Sequence, residues 1–101
     1  MTTRKHPSPP PTGLSPEARS LWRRCMAEYV FESAADLALL GELARTADRL
    51  REVQSAIKAG GLMVVGSNGQ PRANPLLQVE DTLRRTILAH VRALRLTSLE
   101  V

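Results

Sequence analysis

The 101-residue sequence predicts a mainly α fold: three helices with a long antiparallel helical hairpin and a short β-hairpin between helices 2 and 3. Three observations carry this expectation. Apolar residues recur every three or four positions over three stretches, each preceded by a residue suited to capping a helix. Only the segment from Gly60 to Pro75 leaves that period, with an apolar run followed by turn residues. The length suffices for one small domain and not for two, so the helices must share a core.

Residues 1–13 carry Arg4, Lys5 and His6, then Pro7, Pro9, Pro10 and Pro11. Proline fixes φ and lacks the backbone donor that a helix uses, so this segment is expected to be a disordered, basic, proline-rich arm whose head could touch phosphate. A single helical oligomerisation domain is expected over 14–97, followed by a short tail over 98–101.

The first helix opens at Ser15-Pro16-Glu17, with Ser15 as N-cap, Pro16 at N1 and Glu17 at the positive end of the dipole. Leu21, Trp22, Cys25, Met26 and Tyr29 form one apolar stripe, and Arg19, Arg23 and Arg24 lie off it. A solvated face able to pair with Glu28 and a contact surface for DNA or a subunit are both open readings of these arginines.

Ser33 is the next N-cap, with Asp36 at N3, and the helical pattern runs unbroken to Ala59 with Gly60 as its C′ residue. At 1.5 Å per residue this helix is about 40 Å long. Leu37, Leu40, Ala44 and Ala47 line one edge, and Leu39, Leu43, Leu50, Val53 and Ile57 line another. Two apolar edges call for more than one neighbour, which points to self-assembly.

Leu62 to Val65 reads as a buried-type strand, and Gly66-Ser67-Asn68-Gly69 as the turn of a β-hairpin. The hairpin suits either a local cap over helix ends or an edge facing another subunit or partner. Asn74 and Pro75, as N-cap and N1, start the last helix, expected to reach about Leu96. Its seam is Leu76, Val79, Leu83, Ile87, Val91 and Leu94, broadened by Leu77, Leu88 and Ala89.

Composition limits the chemistry. A cation excess of 14 Lys+Arg over 10 Asp+Glu, net +4, makes a polyanionic partner reasonable. The lone Cys25 excludes an intrachain disulfide and a multi-cysteine zinc site, and reads as a small buried hydrophobe. His6 and His90 lack a second histidine at helical spacing, and the adjacent Glu80 and Asp81 point about 100° apart on a helix, so no metal site or paired-carboxylate catalyst is expected. Gly61 to Gly66 has the spacing of a phosphate-binding loop, but Ser67 and Asn68 stand where that loop needs Lys and Ser/Thr. No cofactor is expected, and no apolar run approaches the roughly 18–20 residues that span a bilayer.

An ordered set of motifs resembles the small terminase subunit of tailed phages. It comprises Leu14-Ser15-Pro16 with Trp22, then Tyr29-Val30-Phe31-Glu32-Ser33-Ala34-Ala35-Asp36, then Ile57-Lys58-Ala59-Gly60-Gly61-Leu62, and finally Asn68-Gly69-Gln70-Pro71-Arg72-Ala73-Asn74-Pro75. Leu94-Arg95-Leu96-Thr97 is similar to the family's Leu-Gly-Leu-Thr close, with Arg95 in place of glycine and Ser98 in place of the following proline. The resemblance implies a non-enzymatic ring oligomer in the host cytoplasm. Such a subunit recognises double-stranded viral DNA at the start of packaging and regulates the large subunit, which carries the ATPase and nuclease. Arg19, Arg23, Arg24, Arg45, Arg49 and Arg84 are the candidate DNA contacts, with intersubunit salt bridges as the competing role. The alternative function is a small helical adaptor or regulator that binds protein and not DNA.

Overall fold

A computed structural model describes residues 8–96. Three helices, α1 (Pro16–Glu28), α2 (Ala34–Gly60) and α3 (Leu76–Ala93), are joined by a turn after α1 and by a two-stranded hairpin, β1 (Met63–Val65) and β2 (Pro71–Ala73), between α2 and α3. The strands pair antiparallel, Met63 opposite Ala73, Val64 opposite Arg72 and Val65 opposite Pro71.

The helix starts follow the expected cap chemistry. Ser15 Oγ accepts from Ala18 N–H at 3.1 Å, and Ser33 Oγ accepts from Asp36 N–H at 3.0 Å. Asn74 Oδ1 accepts from Leu76 N–H at 3.0 Å, and Pro75 already has helical dihedrals, so Asn74 is the working cap of α3. Asn74 does more than cap. Its Nδ2 donates to Gly61 O at 2.9 Å and its backbone N–H to Leu62 O at 2.8 Å, tying the end of α2 to the start of α3.

The helix ends differ from expectation. Gly60 is still helical, and the residue with positive φ is Gly61 at 85°, whose N–H donates to Ile57 O; the stop falls one residue later than the C′ position read for Gly60. α3 ends at Ala93 and does not reach Leu96. Arg95 takes a left-handed φ of 59°, its N–H donates to Arg92 O, and Leu96 N–H donates back to Val91 O. This is a Schellman ending, and it returns Leu96 to the core at 1% exposure.

The core gathers Leu21, Trp22 and Cys25 of α1 and Phe31 of the connection with Leu40, Leu43 and Ala47 of α2, Ile87 of α3, and Leu96. Ala18 and Ala44 let α1 approach α2 closely beside Leu14. Ile87 meets the first half of α2 while Asn74 meets its end, so α2 and α3 run antiparallel. α2 lies between α1 and α3, which supply part of the cover that its two apolar edges call for. Leu40, Ala44 and Ala47 on one edge, and Leu43, Val53 and Ile57 on the other, are buried within the chain, while Leu37, Leu39 and Leu50 are half-buried.

The unpartnered apolar surface lies elsewhere. The run read as a buried strand is exposed, with Leu62 at 64%, Met63 at 58% and Val65 at 77%. The reason is topological: the hairpin leaves the helical pair at the end away from the core, where no element covers it. Val79 and Leu88, placed in the α3 seam by periodicity, are exposed as well. The chain is correspondingly long, with a radius of gyration of 17.0 Å against ~13 Å for a compact chain of this length.

The proline-rich segment touches the helices over its described part. Trp22 Nε1 donates to Ser8 O at 2.9 Å, and a Cβ at Gly41 would come within 3.3 Å of Pro11 Cγ, so glycine in mid-helix makes room for the proline. Arg4, Lys5 and His6, the basic head of the arm, lie outside the described residues, as does the tail over 98–101.

Candidate functional site

The six candidate arginines divide by their surroundings. On α1, Arg19 Nη1 donates to Leu14 O at 2.6 Å, so this side chain braces the start of its own helix. Arg23 and Arg24 are exposed, and among the described residues neither forms an ion pair; Glu28 is not their partner. On α2, Arg45 pairs with Glu42 at 2.9 Å and Arg49 with Glu52 at 3.7 Å. On α3, Arg84 pairs with Glu80 at 3.3 Å and its neighbour Arg85 with Asp81 at 2.9 Å. All are exposed pairs within one helix, of the kind that contributes ~0–1 kcal/mol and is easily exchanged for another anion.

Tertiary packing gathers four of the six around a residue that sequence reasoning missed, Arg51. It lines an open groove with Arg45 and Arg49 beside the segment that enters α1, and Glu17, Asp48 and Glu52 line the same groove. It lines a second groove with Arg24, and a third with Arg84, and Ala47 is common to both. Arg51 thus stands where α1, α2 and α3 converge. On the sequence it is one more arginine on a helix with local acidic neighbours, and nothing in its spacing marks the convergence. Arg19 and Arg23 line none of these three grooves.

Asp48 sets the position of Arg51 and of α1 together. Its Oδ2 accepts from Ser15 N–H at 2.9 Å, its Oδ1 accepts from Ser15 Oγ, and Arg51 Nη2 donates to Oδ1 at 2.8 Å. Burial by itself would push this carboxyl up. The hydrogen bonds from the Ser15 hydroxyl, the Ser15 backbone and Arg51, with the Arg51 charge, outweigh it and hold Asp48 below the ordinary 3.8. The carboxylate also faces the positive end of α1. Cys25 behaves as its sequence context predicts: it is buried, and burial pushes its thiol up, with a smaller opposing pull from Arg24.

Each of the three grooves thus carries at least two arginines, and guanidinium groups suit phosphate oxygens, which they bind through paired N–H donors. Among the described residues there is no group of three or more His, Cys, Asp and Glu side chains able to hold a metal ion, and no helix is long and apolar enough to cross a membrane.

Comparison with known proteins gave one family. The model of the Hendrixvirinae small terminase family matches residues 2–100. No curated protein and no solved structure matches the chain.

Proposed function

Since this chain belongs to the Hendrixvirinae small terminase family, and so serves as a phage terminase small subunit, we propose that it recognises double-stranded viral DNA when packaging begins. It does so as a non-enzymatic ring oligomer in the host cytoplasm, and it hands the DNA to the large subunit and regulates it there. The observation that supports the DNA contact is that Arg51 shares one groove with Arg45 and Arg49 of its own helix, a second with Arg24 of α1 and a third with Arg84 of α3, with Arg23 exposed on α1.

The electrostatics fit a repeated weak contact. One chain with a net charge of +4 attracts DNA modestly, but copies arranged round a ring add their fields and their phosphate contacts. The local carboxylates temper Arg45, Arg49 and Arg84, which favours salt-dependent binding over tight non-specific binding.

The test is a salt titration of duplex binding. Each phosphate contact contributes about 0.9 to the slope of log Kobs against log salt. Arg24→Ala and Arg84→Ala should each lower the slope by about that much and weaken binding to all sequences alike. An unchanged slope with intact oligomers would move these arginines to intersubunit ion pairs. Absence of duplex binding at low salt, again with intact oligomers, would favour the protein-binding adaptor.

A further inference from the structure

The hairpin holds surface that the DNA-binding role does not use. Its ladder can be phased from two bonds, Asn74 N–H to Leu62 O at 2.8 Å and Gly66 N–H to Gln70 O at 2.7 Å. In an antiparallel pair, bonded residues alternate with non-bonded ones. Positions 62, 64 and 66 therefore direct their backbone groups into the hairpin, while Met63 and Val65 direct theirs outward along the free edge of β1. On β2 the outward residues are Pro71 and Ala73, and Pro71 has no N–H to offer. The two edges are unequal: β1 is competent to pair and β2 is impaired.

Side chains and charge point the same way. Met63, Val65, Pro71 and Ala73 share one face of the hairpin, all exposed and none polar. No ionisable residue occurs from Ala59 through Pro71, the longest uncharged run in the chain. Among the described residues no donor or acceptor meets the outward groups of Met63 and Val65.

We propose that β1 is a self-association edge, at which a second copy of this chain pairs its own β1 antiparallel about a two-fold axis. Two hairpins then form one four-stranded sheet. A second copy fits this edge for three reasons. The outward N–H and C=O groups of Met63 and Val65 are reciprocally satisfied by an identical antiparallel strand. Two β1 strands meet without charge between them, because the hairpin's one ionisable residue, Arg72, stands on the outer strand and on the face opposite Pro71 and Ala73. Pro71 blunts the outer strands, so pairing stops at four strands and does not continue as a fibre. The hairpin leads the molecule at the end opposite the core, so two copies can meet tip to tip with their helical bodies apart. This contact is separate from the lateral packing of a ring, and joins protomers or whole rings in pairs.

The full chain tests it. Val65→Pro removes the outward N–H without touching the hairpin's own ladder, and Val65→Lys keeps the backbone while placing like charges on facing copies. Native mass spectrometry at micromolar concentration should show a twofold fall in assembly mass for both variants, with helix content by circular dichroism unchanged. The Met63 amide should exchange at least about tenfold more slowly in the wild type than in Val65→Lys. Equal masses for wild type and Val65→Lys, equal Met63 exchange, or open-ended aggregation of the wild type would each overturn the pairing. If Val65→Pro fails to fold, Val65→Lys decides. A wild type that halves its mass on substitution yet binds no duplex would leave the edge standing and remove the proposed DNA role.

Discussion

Asp48 accepts from the backbone and the hydroxyl of Ser15 and from Arg51, so one carboxylate holds the start of α1 against α2 and aims an arginine. Asp48→Asn weakens all three bonds, and a stability loss of about 1–2 kcal/mol is expected from denaturant midpoints. The pH dependence has a definite sign. A carboxyl whose folded pKa is depressed contributes stability that is fully present above its unfolded value and is lost as pH falls through the folded one. Wild type should therefore lose more stability than Asp48→Asn on acidification from about pH 5 to pH 2, which urea melts across that window would measure. Arg95 makes the opposite case. It holds a φ of 59°, a conformation that costs a side chain about 1–2 kcal/mol and glycine little. Arg95→Gly should raise stability by roughly 1 kcal/mol, read as a higher midpoint with an unchanged slope.

Among the elements, the α2–hairpin–α3 connection depends on Asn74, which is 6% exposed and whose amide bonds both Gly61 and Leu76. Asn74→Ala removes a helix cap and the bond from Asn74 Nδ2 to the Gly61 carbonyl, so a loss of about 1–2 kcal/mol is expected from thermal melts. The same change should speed amide exchange through the hairpin before it affects the core around Leu40 and Trp22, because the core lies at the other end of α2. The candidate arginines on α2 and α3 each pair with a carboxylate three or four residues away, whereas among the described residues Arg23 and Arg24 on α1 form no ion pair. Charge reversal on α1 should therefore change duplex affinity more than charge reversal at Arg45, where Glu42 partly neutralises the charge already.

The molecule as a whole is long and has most of its buried apolar residues in one half. Its large exposed apolar residues are Val30 in the connection between α1 and α2, Leu62, Met63 and Val65 on the hairpin, and Val79 and Leu88 on α3. For assembly the hairpin and the outer side of α3 therefore offer more open apolar surface than α2, whose edges are buried or half-buried. A molar mass in solution is the measurement on which both proposals turn. Only monomer at micromolar concentration would remove the ring and the hairpin pairing together.

The sequence by itself determined the number of helices, their starts and the place of the hairpin, because caps, prolines and turn residues act over three or four positions. Ser15, Ser33 and Asn74 each bond the nearby amide that their type and spacing require. Helix ends were less legible, since Gly60 and Gly61 both suit a stop and Arg95 gives no local sign that it will take a left-handed φ. Which surfaces are covered was decided only by the tertiary structure. Leu62 to Val65 has the composition of a buried strand, yet burial needs a neighbour, and the antiparallel return of α3 leaves none at that end. Arg51 is the same lesson for the site: its charge and its α2 neighbours Arg45 and Arg49 are plain in the sequence, but its place beside Arg24 of α1 and Arg84 of α3 exists only once three helices have packed.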